Sequence, residues 1–117
     1  MKKILNAVAQ TIFDKKGFNI IGLDVKGLSS LTDYMIIAEG NIDRHVKAIG
    51  SAVVHTLNEV KNPVWHIEGD KVGDWLVIDA GDVIIHLLTP ELRERYGIEF
   101  LWKEAKIVPL DIVTENK

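Results

Sequence analysis

Two clusters in this chain have residue types suited to chemistry. The first is acidic: Asp74, Asp79 and Asp82, followed closely by His86. Carboxylates gathered beside a turn can hold Mg²⁺ and support phosphoryl or nucleotidyl transfer. Asp and Gly are equally the ordinary residues of a tight turn, so Asp79-Ala80-Gly81-Asp82 serves a hairpin just as well. The second cluster is cationic. Arg44, His45 and Lys47 follow Gly40-Asn41-Ile42-Asp43 and occupy the first two turns of an expected helix. Free amides and side-chain cations there could hold a phosphate or a carboxylate. The other reading is a solvated basic face in which Asp43 neutralises Arg44.

Most catalytic signatures are missing. The chain has no GxxxxGK[ST], GxGxxG, GxSxG or HExxH, and its acids include no Asp-x-Asp pair. The histidines at 45, 55, 66 and 86 include no i,i+4 pair, and Cys is 0, which removes thiolate metal sites, disulfides and cysteine nucleophiles. The residues point to no metal and no cofactor.

The elements that must position these clusters follow from periodicity. Ile4, Leu5, Val8, Ile12 and Phe13 fall at helical spacing, and Lys15-Lys16-Gly17 makes a cationic last turn with a glycine stop. Ile20–Val25 reads as a strand, and the apolar run Tyr34–Ala38 reads as a central strand covered on both faces. Val46, Ile49, Val53, Leu57 and Val60 mark a long helix with Asn41 as N-cap and Asn62-Pro63 as its stop. Three strands follow, at Val64–Glu68, Trp75–Asp79 and Val83–Leu88, the last two forming a hairpin. Thr89-Pro90-Glu91 opens a short helix that Gly97 ends. The expected fold is mixed α/β, a mixed sheet of about five strands flanked by helices. Residues 1–113 form one domain and 114–117 a flexible tail.

Within the hairpin Trp75, Val77 and Asp79 share one face while Leu76 and Ile78 share the other. Whether Trp75 neighbours His86 depends on a two-residue turn or a three-residue loop bulged at Gly81. Both faces are substantially apolar and both need covering, by this chain's helices or by a partner. Downstream, Tyr96, Phe100, Leu101 and Trp102 lie close to Arg93 and Arg95, a mixture that suits an interface centre or a helix tucked into the core.

A chain of 117 residues is near the commonest domain size, and its composition is that of a folded globule: 47% hydrophobic and 26% charged. Net charge is −3, which argues against bulk binding to nucleic-acid backbones. The acidity sits in the second half: residues 1–60 carry +1 and residues 61–117 carry −4. That asymmetry suits a basic protein partner, or simply keeps the protein soluble. No run approaches the ~18 apolar residues of a membrane span, and the first residues lack a signal-peptide core. A cytoplasmic location without membrane contact is expected.

Taken in order, these blocks resemble the ribosomal silencing factor, or Iojap, family. The likeness runs from about Leu23 to Trp102. It rests on Leu23-Asp24-Val25, Thr32-Asp33-Tyr34 and Arg44-His45-Val46-Lys47-Ala48-Ile49, then Glu68-Gly69 and Trp75. It continues through Asp79-Ala80-Gly81-Asp82-Val83-Ile84-Ile85-His86 and closes with Pro90-Glu91-Leu92-Arg93-Glu94-Arg95-Tyr96 and Leu101-Trp102. Ala80 stands where the family usually has an aromatic, and Glu39-Gly40-Asn41-Ile42 where it usually has Ser-Gly-Thr-Ser.

The resemblance implies a nucleotidyltransferase-like core without catalytic residues and a regulator of translation that is not an enzyme. It implies binding to the large ribosomal subunit through the ribosomal protein numbered fourteenth, on the subunit-joining face. Such binding blocks association with the small subunit and represses translation; organellar relatives are linked to large-subunit assembly. Homodimers occur in the family. On this reading Trp75, Asp79, Asp82, His86, Leu88, Pro90, Tyr96 and Trp102 contact the ribosomal protein. Arg44, His45 and Lys47 touch rRNA phosphate or stabilise the fold. The rival class is a Mg-dependent nucleotidyltransferase-like enzyme built on Asp79, Asp82 and the Arg44–Lys47 cluster.

Overall fold

The computed structural model of the chain describes residues 1–69 and 74–114. Residues 115–117, most of the expected tail, lie outside that range. The first helix, α1 (Lys2–Asp14), buries Leu5, Val8, Ala9 and Ile12 along one stripe. The chain then reverses tightly. A Cβ on Gly17 would sit 2.4 Å from Ile12 Cγ2, so only glycine lets the turn fold back on the helix. Strand β1 (Phe18–Asp24) begins two residues earlier than the periodicity suggests, through an irregularity between Phe18 and Ile21 where Asn19 takes φ 51°. Strand β2 (Tyr34–Glu39) is buried from Met35 onward, as an apolar run in a sheet covered on both faces should be.

Helix α2 (Asp43–Glu59) turns Val46, Ile49, Val53 and Leu57 inward. Its N-cap is Ile42 and not Asn41, and no side chain caps it. Asn41 instead offers its backbone amide to His45 Nδ1 at 2.9 Å. Strands β3 (His66–Gly69), β4 (Trp75–Asp79) and β5 (Val83–Leu88) follow, then α3 (Pro90–Tyr96), α4 (Ile98–Leu101) and β6 (Lys106–Val108). Gly97, at φ 51°, stops α3 in the left-handed region that favours glycine.

The sheet has six strands, not about five, in the order β3-β4-β5-β2-β1-β6. The β2–β5 pair is parallel and the others are antiparallel, so the sheet is mixed as expected. The added strand, β6, is three residues long, too short to show a period.

Helices α1 and α2 cover one face, packing on Ile36, Ala38, Ile78, Ile85 and Leu87. The approach is close: a Cβ on Gly50 of α2 would meet Leu76 Cδ2 at 2.3 Å. The opposite face carries a smaller core of Leu23, Val25, Met35, Ile37, Leu88 and Ile98 under α3 and α4. Arg93 ties that cover down. Its guanidinium meets Glu39 at 3.2 Å and Glu99 at 2.7 Å, and donates to the Asn19 carbonyl. After β6 the chain runs back along α1, where the Asn6 and Gln10 side chains pair with the backbone of Asp111 and Val113.

Candidate functional site

The two short helices leave part of the second face open. What remains is an apolar groove of about 410 Å³. Trp75, Val77, Ile84 and His86 form its floor on the hairpin, Met35 lies beside them, and Tyr96, Ile98, Leu101 and Trp102 form one wall. Leu31, from the loop between β1 and β2, forms part of the rim and is 79% exposed; Leu101 is 76% exposed. Large apolar side chains in such positions mark binding surfaces when they are contiguous.

The hairpin register decides what the floor looks like. Asp79 pairs with Ile84, and the Ala80 amide donates to the Val83 carbonyl at 2.9 Å. The loop is therefore the two residues Gly81-Asp82, with Gly81 at φ 86° supplying the positive angle such a turn needs. Val77 then faces His86 directly and Trp75 lies diagonal to it. Trp75 Nε1–H donates to His86 Nδ1 at 3.2 Å, which puts the histidine proton on Nε2. Burial pushes the His86 imidazole down to about 4, so it is neutral at physiological pH. Tyr96 packs against Trp75 with ring centroids 5.0 Å apart and the ring planes tilted by 42°.

The acidic cluster does not converge. Asp74 sits beyond the start of β4, its carbonyl accepting the Thr89 amide, about 16 Å along the strand from Asp79. Asp79 Oδ1 accepts the Gly81 amide at 2.9 Å and so shapes the turn. Asp82 is exposed at the tip, and its carbonyl accepts the amides of Asp33 and Tyr34. Asp33, Asp79 and Asp82 thus make an acidic end to the groove face. That geometry suits recognition of a basic surface better than shared ligation of one metal ion. Among the described residues no three His, Asp or Glu side chains are placed to hold a metal.

The other expected contact residues divide. Trp75, His86, Tyr96 and Trp102 line the groove. Leu88 is fully buried in the second core and supports the floor from within. Pro90, at the first turn of α3, lines a separate depression beside Arg93 and Phe100. Arg93, with its side chain 10% exposed, serves the fold, while Arg95 pairs with Glu91 on the outer side of α3. The Arg93 guanidinium beside Glu99 also holds that carboxyl below its usual range.

In the cationic cluster His45 has both ring nitrogens engaged, Nδ1 with the Asn41 amide and Nε2 with the Lys15 carbonyl at 2.7 Å. It pins the end of α1 to the start of α2, whereas Arg44 and Lys47 project into solvent. Residues that sequence reasoning missed are Leu31, Met35, Val77 and Ile84, whereas Leu101 belongs to the downstream group that already suits an interface centre. An apolar Leu31 inside the polar run Ser29-Ser30-Leu31-Thr32-Asp33 was the available signal. Thr32 was missed as well: it is buried, and its hydroxyl donates to the Gly81 carbonyl at 3.1 Å, holding the loop against the hairpin tip.

A family model described as ribosomal silencing factor during starvation matches residues 1–117. The chain is 38% identical over 106 residues to the ribosomal silencing factor RsfS of Chromobacterium violaceum, covering 91% of this chain and 87% of that protein. It is 34% identical over 110 residues to RsfS of Bacillus subtilis, covering 94% and 93%. A mouse protein named mitochondrial assembly of ribosomal large subunit protein 1 is 40% identical over 74 residues, 61% of this chain and 32% of its own. A crystal structure of a Chromobacterium violaceum protein superposes with a TM-score of 0.82 at 39% identity, covering 86% of this chain and 84% of the other. One from Bacillus halodurans gives 0.81 at 29% identity, covering 94% and 100%. Sequence and backbone agree over most of the chain, and the chain belongs to the ribosomal silencing factor family.

Proposed function

We propose that this protein represses translation by occupying the subunit-joining face of the large ribosomal subunit, held there by a basic ribosomal protein, the one numbered fourteenth. The observation that carries the reading is the open groove over Trp75 and His86 with the acidic end at Asp33, Asp79 and Asp82 beside it. Aromatic and aliphatic anchors supply most of the affinity of an interface, while charges steer and orient the partner. Leu31, Tyr96, Leu101 and Trp102 are the anchors in this account. The action is obstruction, performed in the cytoplasm without catalysis. Neutral His86, bonded to Trp75, has no role as a base, and Asp79 is committed to the turn.

The test is sedimentation of salt-washed ribosomal subunits with purified protein. Co-sedimentation with the large subunit and loss of the joined particle support the proposal; normal joining with no co-sedimentation refutes it. A second reading, a large-subunit assembly factor, is favoured by the name of the mouse relative. It uses the same surface and predicts binding to the large subunit without a block to joining.

A further inference from the structure

The fold gathers cations that the sequence keeps apart. The His45–Lys15 hydrogen bond brings the turn Lys15-Lys16-Gly17 to the start of α2, where Arg44 and Lys47 stand. The Gly17 position packs against Ile49, one turn further along α2. Lys15 also lines a shallow depression with Asp14, His55 and the small residues Ala48 and Ser51. All four cations are exposed, and none is within ion-pair distance of a described carboxylate. Two carboxylates lie among them, each with one oxygen in a local hydrogen bond: Asp43 accepts the Arg44 amide, and Asp14 accepts the Gln10 side chain. Four cations beside the two carboxylates of Asp14 and Asp43 leave a local excess of positive charge in a chain of net charge −3, which favours an anionic partner.

We infer that Lys15, Lys16, Arg44 and Lys47 form one docking patch for the phosphodiester backbone of ribosomal RNA. The inference rests on the proposed binding to the large subunit. The patch belongs to the α1–α2 side of the sheet and the groove to the other side, so a protein seated in the groove leaves the patch uncovered. One molecule is then clamped between protein on one face and RNA on the other. The four side chains are three flexible ammonium groups and one guanidinium, carried by the turn after α1 and the first turns of α2. They match phosphates, which position a protein, and carry no base-reading geometry. His45 is a positioning residue in this account and does not touch the RNA.

The experiment measures affinity for purified large subunits between 50 and 300 mM KCl. It compares the wild type, the variant with Lys15→Gln, Lys16→Gln, Arg44→Gln and Lys47→Gln, and Leu101→Asp as a groove variant. Thermal melts establish that both variants fold. Each phosphate contact adds about 0.7–0.9 to the slope of log affinity against log salt, so the quadruple variant should lose about 3 from that slope. Affinity for the isolated ribosomal protein should be unchanged in it. Wild-type binding with an equal slope in the quadruple variant overturns the patch alone and leaves it to an acidic protein or to solvent. An equal loss of slope against the isolated ribosomal protein overturns it too, because the cations then touch protein. Absence of any wild-type binding to the subunit overturns the proposed function and this inference together.

Discussion

His86 makes the stability of this protein depend on pH in a way that can be worked out. Its ring is largely buried at the groove floor beside Trp75, and its pKa falls from 6.5 to about 4. Between those values the unfolded chain binds a proton that the folded chain refuses, so stability declines as the pH falls through this window. Above 6.5 both states hold neutral histidine and the contribution is flat. Between pH 7 and pH 4.5 the linkage removes about 2 kcal/mol. With a urea dependence of about 1–2 kcal/mol per M for a chain of this size, the unfolding midpoint should move down by roughly 1–2 M. Other groups titrate in the same interval, so the comparison needs a control. The His86→Gln variant has an amide oxygen that can accept the Trp75 N–H and has no proton to gain. Its midpoint should fall by correspondingly less over the same two pH values, whatever its absolute stability. Equal declines in wild type and His86→Gln would refute the argument from burial.

Other parts of the structure give equally definite expectations. Arg93→Met leaves Glu39, whose side chain is 9% exposed, without its cation, and should cost about 3 kcal/mol in urea unfolding; a loss under 1 kcal/mol would mean that the Arg93 ties do not anchor α3. Gly50→Ala pushes a Cβ against the tip of Leu76, a strain partly offset by the helix propensity gained over glycine, and should cost about 1 kcal/mol net, while Ser51→Ala next to it on the exposed side should be nearly neutral in the same thermal melt. Leu31→Ser, at a rim residue 79% exposed, should leave the melt within about 0.5 kcal/mol of wild type and weaken binding to the large subunit.

How legible all this was in the sequence depended on the range of the interaction. The stripes of α1 and α2 and the hairpin β4–β5 are local patterns, and the structure repeats them nearly residue for residue. The β6 strand was not legible, because the three residues Lys106–Val108, just before Pro109, pair only when β1 is already there. The Trp75–His86 contact hinged on a one-residue choice of turn, which flips the facing side chains and which composition leaves open. His45 read as a candidate anion ligand because its partner, the Lys15 carbonyl, lies 30 residues away and is a backbone atom with no signature. Arg93 beside aromatics suited an interface equally well; only the approach of Glu39, 54 residues upstream, shows it turned inward. Leu88 stands in the block that carries the contact residues, yet it packs inward from the same face as Trp75 under the cover of α3 and α4. The groove itself depends on how little of that face two short helices can cover, and no local pattern encodes this.

If the open groove seats the protein on the large subunit, the bound protein keeps the small subunit away. Light scattering during reassociation of purified subunits tests it most directly, with wild type and Leu101→Asp compared at equal concentration. Leu101 is 76% exposed at the groove wall, so the substitution adds a charge to the proposed contact without disturbing the core. Wild type should abolish the rise in scattering, and Leu101→Asp should restore it while folding normally. Reassociation that proceeds unhindered with wild type, or is blocked equally by Leu101→Asp, would contradict it.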